Sequence, residues 1–130
     1  MIYFLTGLQP YFDLLVPLFQ RVQNRQATMI LSVVTESELL VRSFRDRDAE
    51  AVERIGDLLS EDGIDVVEVS RGIARRAALL RANHGALRLP DATIIATAID
   101  AGCDLIVGND AEWSKLKDVP FARLDDIIKM

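Results

Sequence analysis

Residues 89–110 read LPDATIIATAIDAGCDLIVGND, a pattern that predicts a helix followed by a short apolar strand. Residues 92–101 are almost all Ala, Ile and Thr, so the predicted helix must be buried on most of its surface. Gly102 is predicted to stop that helix, residues 104–107 form the next strand, and Gly108-Asn109-Asp110 forms a turn. A helix this apolar predicts a position against the sheet of an α/β domain.

Strands and helices alternate along the rest of the chain. Further strands are predicted at 28–31, 64–69 and, as an edge strand, 121–124. Further helices are predicted at about 10–23, from Ser32 or Thr35 to about 43, at 48–60, at 70–83, and over a short segment holding Trp113. This alternation predicts a three-layer α/β/α fold with a central parallel sheet. No linker or repeat divides the sequence, so residues 1–130 are expected to form one domain.

The composition narrows the function classes. Half of the 130 residues are apolar, 27% are charged and the net charge is −5. This balance disfavours a protein that coats nucleic acid with lysine, but it permits an acidic metal site that meets phosphate through a cation. No apolar run is long enough to span a membrane, and the apolar N-terminal segment lacks the features of a signal peptide. A single cysteine indicates the cytoplasm, a reducing compartment, and no membrane association is expected.

Three carboxylates are candidates for one site. In parallel sheets ligands bind beyond the carboxyl ends of the strands. Asp110 directly follows a predicted strand, Glu38 lies on the helix after another, and Asp91 opens the buried helix. Clustered carboxylates repel one another unless a cation or a proton neutralises them. Oxygen ligands suit Mg²⁺ or Mn²⁺, which can activate water and stabilise charge on a phosphodiester.

Each of these residues also has an ordinary structural interpretation. Asp91 after a proline is typical of a helix N-cap, and Asp110 is typical of a turn. Glu38 on a helix is typical of a solvated position. The pattern alone therefore predicts an acidic site without defining its chemistry.

Two segments resemble motifs of the PIN-domain family of metal-dependent ribonucleases. Residues 32–40, SVVTESELL, resemble the family's S-x-x-T-x-x-E-L segment, and residues 89–98 resemble its L-P-D-A-x-I-x-A-T-A helix. Residues 107–110, VGND, are similar to a strand end usually written T-N-D. The approach from Leu80-Arg81 to Arg88 is similar to that of VapC-type toxins. The resemblance covers nearly the whole chain.

The resemblance implies that Glu38, Asp91 and Asp110 are catalytic and metal-binding acids, with Mg²⁺ or Mn²⁺ as cofactor and RNA as substrate. It also implies an antitoxin partner and a homodimer, for which the apolar N-terminal segment offers a surface. Arginines on or near one helix lead toward Asp91 and can meet RNA phosphate, although a solvated basic face is their ordinary interpretation. These arginines are Arg71, Arg75, Arg76, Arg81 and Arg88.

The N-terminus departs from the family pattern. The family opens with a strand that ends in Asp-Thr or Asp-Ser, and no such pair occurs here. The favoured register matches residues 2–5, IYFL, to the helix after that strand, so the domain is expected to be N-terminally incomplete. A second register places residues 1–5 on the strand, with Leu5-Thr6 where Asp-Thr belongs. Both registers lose the first catalytic aspartate.

Loss of that strand, which is central in the family's sheet, would leave unpaired backbone groups on two neighbours. Three arrangements repair the gap: residues 1–5 form the strand, another chain donates one, or the true start lies upstream of Met1. Two main hypotheses follow. The first is a PIN-type endoribonuclease, impaired by the missing aspartate. The second is a non-catalytic PIN-fold module that binds an antitoxin or another protein. A receiver-like phosphoacceptor domain is a weaker third, because its acidic pair and lysine are not evident.

Overall fold

The computed structural model describes residues 2–5, 16–108 and 121–123. In chain order the elements are β1 Ile2–Leu5, α1 Val16–Gln23, β2 Thr28–Ser32, α2 Val33–Arg45, α3 Ala49–Leu59, β3 Ile64–Val67, α4 Arg71–Asn83, α5 Leu89–Asp100, β4 Leu105–Gly108 and β5 Phe121–Arg123. Their order agrees with the predicted alternation. The short helix expected around Trp113 lies outside the described residues.

The strands form one parallel sheet in the order β3-β2-β1-β4-β5. Phe4 in the central strand β1 lies opposite Ile30 of β2 on one side and Ile106 of β4 on the other. The chain first builds outward through β2 and β3, then returns to build β4 and β5 on the other side of β1. The order therefore reverses between β1 and β4, which is where open α/β sheets place their ligand sites.

The position of residues 2–5 corrects the register favoured from the sequence. These residues form the central strand β1 and not a helix after it. The physical reason is the backbone pairing described above, since β2 and β4 would each expose an unpaired edge without a strand between them. Of the three arrangements considered, the first is the one observed, and Leu5 ends the strand.

Side-chain caps fix the starts of three helices. Ser32, Asp48 and Ser70 precede α2, α3 and α4, and each accepts a hydrogen bond of 3.0–3.1 Å from a backbone N–H two or three residues later. Such caps satisfy donors that the first helical turn leaves unpaired. Ser32, rather than Thr35, begins α2, and it does so directly after β2. The short connection places the start of α2 at the carboxyl edge of the sheet.

Both faces of the sheet are covered at β2. Met29, Ile30 and Leu31 alternate between the two faces, and all three are buried. On the face of Ile30 the core includes residues of α4, α5 and β4. The burial of both faces agrees with the predicted three-layer architecture.

Helix α5 is the most buried helix of the described chain. Ala92, Ile94, Ile95 and Ala98 are at most 1% exposed, and Ile99 is half-buried. This agrees with the burial predicted from its composition. Its buried threonine hydroxyl is also satisfied, because Thr97 Oγ1 donates to a backbone carbonyl one turn earlier at 2.8 Å. Among the described residues no helix is both long and apolar enough to cross a membrane.

The turn before β3 requires glycine. Gly63 has a φ of +86°, a conformation that side chains with a Cβ rarely adopt. A Cβ at this position would lie 2.8 Å from Val22 Cγ1 of α1. The carbonyl of Gly63 also accepts a 2.8 Å hydrogen bond from the N–H of Met29. The turn thus fixes how α1, β2 and β3 approach one another.

Candidate functional site

The carboxyl edge of the sheet brings two of the three predicted acids together. Glu38 lies on α2, which starts at this edge immediately after β2. Helix α5 leads into the amino end of β4 through a short loop, so α5 runs antiparallel to that strand and its N-terminus lies at the same edge. Asp91 is the third residue of α5. Two elements that are far apart in sequence therefore deliver one carboxylate each to the same place.

The electrostatics of Glu38 report this proximity. Burial raises the pKa of the Glu38 carboxyl, the negative charge of Asp91 raises that pKa further, and the positive charge of Arg88 opposes the shift. By its accessible surface Glu38 is an exposed residue whose carboxyl is only partly enclosed, so solvent screens these interactions in part. A carboxylate pair of this kind is stabilised when it binds a proton or a cation, because the mutual repulsion is relieved.

Asp91 does not cap α5, contrary to its ordinary interpretation. The N-cap is Arg88, whose side chain makes no capping hydrogen bond, and Pro90 occupies the first turn. The Oδ2 atom of Asp91 lies 3.8 Å from Nε of Arg88. The Asp91 side chain is 21% exposed, whereas that of Arg88 is 84% exposed. The acid is therefore mostly enclosed while its basic neighbour reaches into solvent.

The third predicted acid, Asp110, lies outside the described residues. It follows Gly108, the last residue of β4, by two positions. Within residues 2–5, 16–108 and 121–123, no three His, Cys, Asp or Glu side chains are grouped to hold a metal ion. The described part of the site thus contributes two oxygen-donor side chains, Glu38 and Asp91.

An open depression of about 420 Å³ adjoins Glu38. Apart from Glu38 and Ser37, its lining is apolar, formed by Val33, Val34, Val41 and Pro90. Val41 is 48% exposed. The acidic pair therefore borders an apolar surface that is accessible from solvent.

Thr35 adds a polar atom beneath this edge. It lies nearly one turn before Glu38 on α2 and is only 1% exposed. Its Oγ1 has no hydrogen-bond partner among the described residues. A buried hydroxyl without a partner is uncommon in proteins. In the sequence Thr35 is an alternative cap and the threonine of the 32–40 motif, and neither pattern predicts a buried hydroxyl without a partner.

The donors present suit a hard divalent cation better than a soft one. Both are carboxylates, and the charge of one raises the pKa of the other. Mg²⁺ and Mn²⁺ prefer such oxygen ligands.

Burial and the Asp104 charge raise the pKa of Cys103 to about 11, so its thiol is protonated at neutral pH. His84 is the C-cap of α4.

These features define a three-layer α/β domain with a parallel sheet and two neighbouring carboxylates, Glu38 and Asp91, at its carboxyl edge. The chain belongs to the PIN domain family, whose model matches residues 1–119. This confirms the family resemblance drawn from residues 32–40 and 89–98.

Solved structures with the same fold include three bacterial toxin–antitoxin proteins. VapBC-1 from nontypeable Haemophilus influenzae has a TM-score of 0.72 at 14% identity, covering 96% of this chain and 99% of that one. VapBC2 from Rickettsia felis, bound to a promoter DNA fragment, has a TM-score of 0.70 at 18% identity, covering 95% and 98%. A toxin–antitoxin complex from Klebsiella pneumoniae has a TM-score of 0.64 at 22% identity, covering 90% and 94%. No curated protein sequence matches the chain.

Proposed function

We infer that this protein is a PIN-type, metal-dependent endoribonuclease of the toxin kind, with Mg²⁺ or Mn²⁺ held by Glu38, Asp91 and Asp110. The observation that carries this proposal is the meeting of Glu38 and Asp91 at the carboxyl edge, where the charge of one raises the pKa of the other. Family membership supplies the class of chemistry. The solvent-accessible depression beside Glu38 gives a substrate access to the pair.

The residues of this chain would perform distinct tasks in RNA cleavage. Glu38 and Asp91 present anionic oxygens from two different helices, and the burial of Asp91 holds its carboxylate in place. A divalent cation bound there would activate a water molecule and neutralise charge on the phosphodiester.

Exposed arginines support binding of RNA despite the net charge of −5. All five arginines singled out from the sequence face solvent: Arg71, Arg75, Arg76, Arg81 and Arg88. Of these five, Arg81 and Arg88 are nearest in sequence to the start of α5. Local cations of this kind can contact phosphate without a basic protein overall.

The end of β1 limits the expected activity. The family's first aspartate belongs after this central strand, but β1 ends at Leu5, Thr6 follows, and the first acidic residue in the sequence is Asp13. A missing carboxylate weakens cation binding, because Mg²⁺ demands near-ideal geometry. Each loss of about 1.4 kcal/mol in transition-state stabilisation lowers the rate tenfold. We therefore expect slow cleavage by this chain.

The test is cleavage of a mixed-sequence single-stranded RNA in Mg²⁺ or Mn²⁺, with a chelator as the blank. Leu5→Asp restores an Asp-Thr pair at the end of the central strand and should raise metal-dependent cleavage. Adding Asp91→Asn to that variant should abolish the gain. Leu5→Asn is the matched control, since the Asn side chain has nearly the shape of Asp but carries no charge. An inert Leu5→Asp protein that still folds would contradict the nuclease proposal.

A non-catalytic module that binds an antitoxin or another protein is the second candidate. The absence of an acid at Leu5 and Thr6 favours it, and the apolar lining of the depression beside Glu38 suits a protein segment. The similar solved structures are toxin–antitoxin complexes, which supports an antitoxin as the partner. Partner binding that survives Asp91→Asn, together with no cleavage by Leu5→Asp, would favour this candidate. For either candidate we propose a cytoplasmic homodimer.

A further inference from the structure

We propose that Arg88 is the residue that positions the RNA phosphodiester at the acidic site. This inference rests on the proposed function and extends it to a substrate contact. Arg88 lies at the N-terminus of α5, and its Nε is 3.8 Å from Oδ2 of Asp91. Its guanidinium thus stands at the mouth of the site, beside an acid that is mostly buried.

The ion pair with Asp91 does not use up the binding capacity of Arg88. The 3.8 Å separation exceeds a hydrogen-bond distance, and the Arg88 side chain is 84% exposed. A guanidinium carries five N–H donors in a planar fork that matches two oxygens of one phosphate. Most of those donors therefore remain available in solvent while Asp91 restrains the direction of the side chain.

Arg88 is a poor choice for stability at this position. The N-cap favours Ser, Thr, Asp or Asn, and Arg88 makes no capping hydrogen bond. A cation at a helix N-terminus also opposes the helix dipole. An arginine that disagrees with its local setting in two ways, next to a candidate site, is better explained by function than by folding.

The exposed pair of Arg42 and Asp46 shows what an ordinary ion pair looks like in this chain. Its Nε–Oδ2 distance is 3.7 Å, and its two side chains are 70% and 60% exposed. Its acid faces solvent, whereas Asp91 is mostly buried and acts on the pKa of Glu38. The two arginines have similar distances but different surroundings, and only Arg88 adjoins an acidic pair.

Arg88 should also oppose binding of a cation by the same acids. Its positive charge lies within a few ångströms of Asp91, so it repels a divalent ion at that carboxylate. Removing the charge should therefore strengthen metal binding and weaken RNA binding. A purely structural residue would not shift the two affinities in opposite directions.

The experiment uses the full chain with Arg88→Ser, which supplies a favourable cap and so protects the fold. Arg88→Lys retains the charge without the planar fork. Arg54→Ser on α3 is the control for net charge, because Arg54 is exposed on another helix. Mn²⁺ affinity is measured by calorimetry. Affinity for a labelled mixed-sequence single-stranded RNA is measured by fluorescence anisotropy in chelator over a range of salt concentrations.

For Arg88→Ser we expect Mn²⁺ to bind about two- to tenfold more tightly, the effect of one nearby partly screened charge. RNA affinity should fall, and the slope of its logarithm against the logarithm of salt should shrink by about 0.7, the loss of one phosphate contact. Arg88→Lys should keep most of the slope but bind RNA less tightly than the native chain. Arg54→Ser should leave both affinities close to native values.

An unchanged salt slope in Arg88→Ser would overturn the proposal, whatever happens to Mn²⁺. A second outcome is a reduced salt slope in Arg88→Ser when the native chain binds no Mn²⁺. That outcome would support the phosphate contact of Arg88 and contradict the metal site of the proposed function. Failure of the native chain to bind RNA would overturn the phosphate contact directly.

Discussion

Replacing Ile95 with Asp should nearly unfold the protein. Ile95 lies on α5 and is 0% exposed. It belongs to the same core cluster as Ile30 of β2 and Ile106 of β4. The change removes the burial of one large aliphatic side chain, about 1.5–3 kcal/mol. It also buries an unpaired carboxyl group, which costs about 3–5 kcal/mol when charged. The two costs together, about 4.5–8 kcal/mol, are comparable with the whole stability of a small domain, about 5–15 kcal/mol.

Urea unfolding followed by circular dichroism measures this loss. Leu79→Asp is the matched control, because Leu79 lies on neighbouring α4 and is 63% exposed. That variant should differ from the native chain by only about 0.5 kcal/mol. Ile95→Val should lose about 0.5–1.5 kcal/mol and remain folded, which gives a graded point. If Ile95→Asp were as stable as Leu79→Asp, the buried position of α5 would be wrong.

Three further predictions concern charge, backbone and assembly. Because the folded pKa of Glu38 is raised, its ionised form costs stability above that pKa. Glu38→Gln should therefore raise the free energy of unfolding at neutral pH, and this gain should vanish as the pH falls toward 4.5, the ordinary pKa of Glu. Urea unfolding at several pH values measures the gain. The absence of any gain at neutral pH would refute the repulsion by Asp91. Gly63→Ala should destabilise the protein by more than about 1 kcal/mol. Gly56→Ala, in the interior of α3 with no atom near the added Cβ, should stabilise it by about 0.5–1 kcal/mol. Equal thermal midpoints for the two variants would contradict this difference. Sedimentation should show a dimer at micromolar concentration, as the family resemblance implies, although residues 3–5 of the apolar N-terminal segment lie in the central strand β1 and so do not offer that surface; a monomer would count against the dimer.

Local signals in the sequence were sufficient for most of the fold. Asp48 and Ser70 mark helix starts because their side chains cap backbone donors, and the structure confirms both. Of the two starts left open for α2, the structure selects Ser32. The composition of residues 92–101 required a buried helix because no other position accommodates so many apolar side chains. These features depend on neighbours within a few residues, so the sequence alone carries them.

The N-terminal strand and the neighbourhood of Asp91 depended on contacts that the sequence does not display. Residues 2–5 are apolar and short, a pattern that fits a helix or a buried strand equally well. Only pairing with β2 and β4 decides between the two. The contact between Arg88 and Asp91 follows from the start of α5 at Leu89, which puts Asp91 inside the helix and not at its cap. The spacing of three residues was the available signal.

We expect Glu38 and Asp91 to hold one cation together. Mn²⁺ titration by calorimetry of the native chain, Glu38→Gln, Asp91→Asn and the double variant tests it most directly. Either single variant should lose at least about tenfold in affinity, a change of about 1.4 kcal/mol, and the double variant should lose little more than the single ones. Affinity that neither variant lowers, or losses that simply add in the double variant, would contradict a shared site.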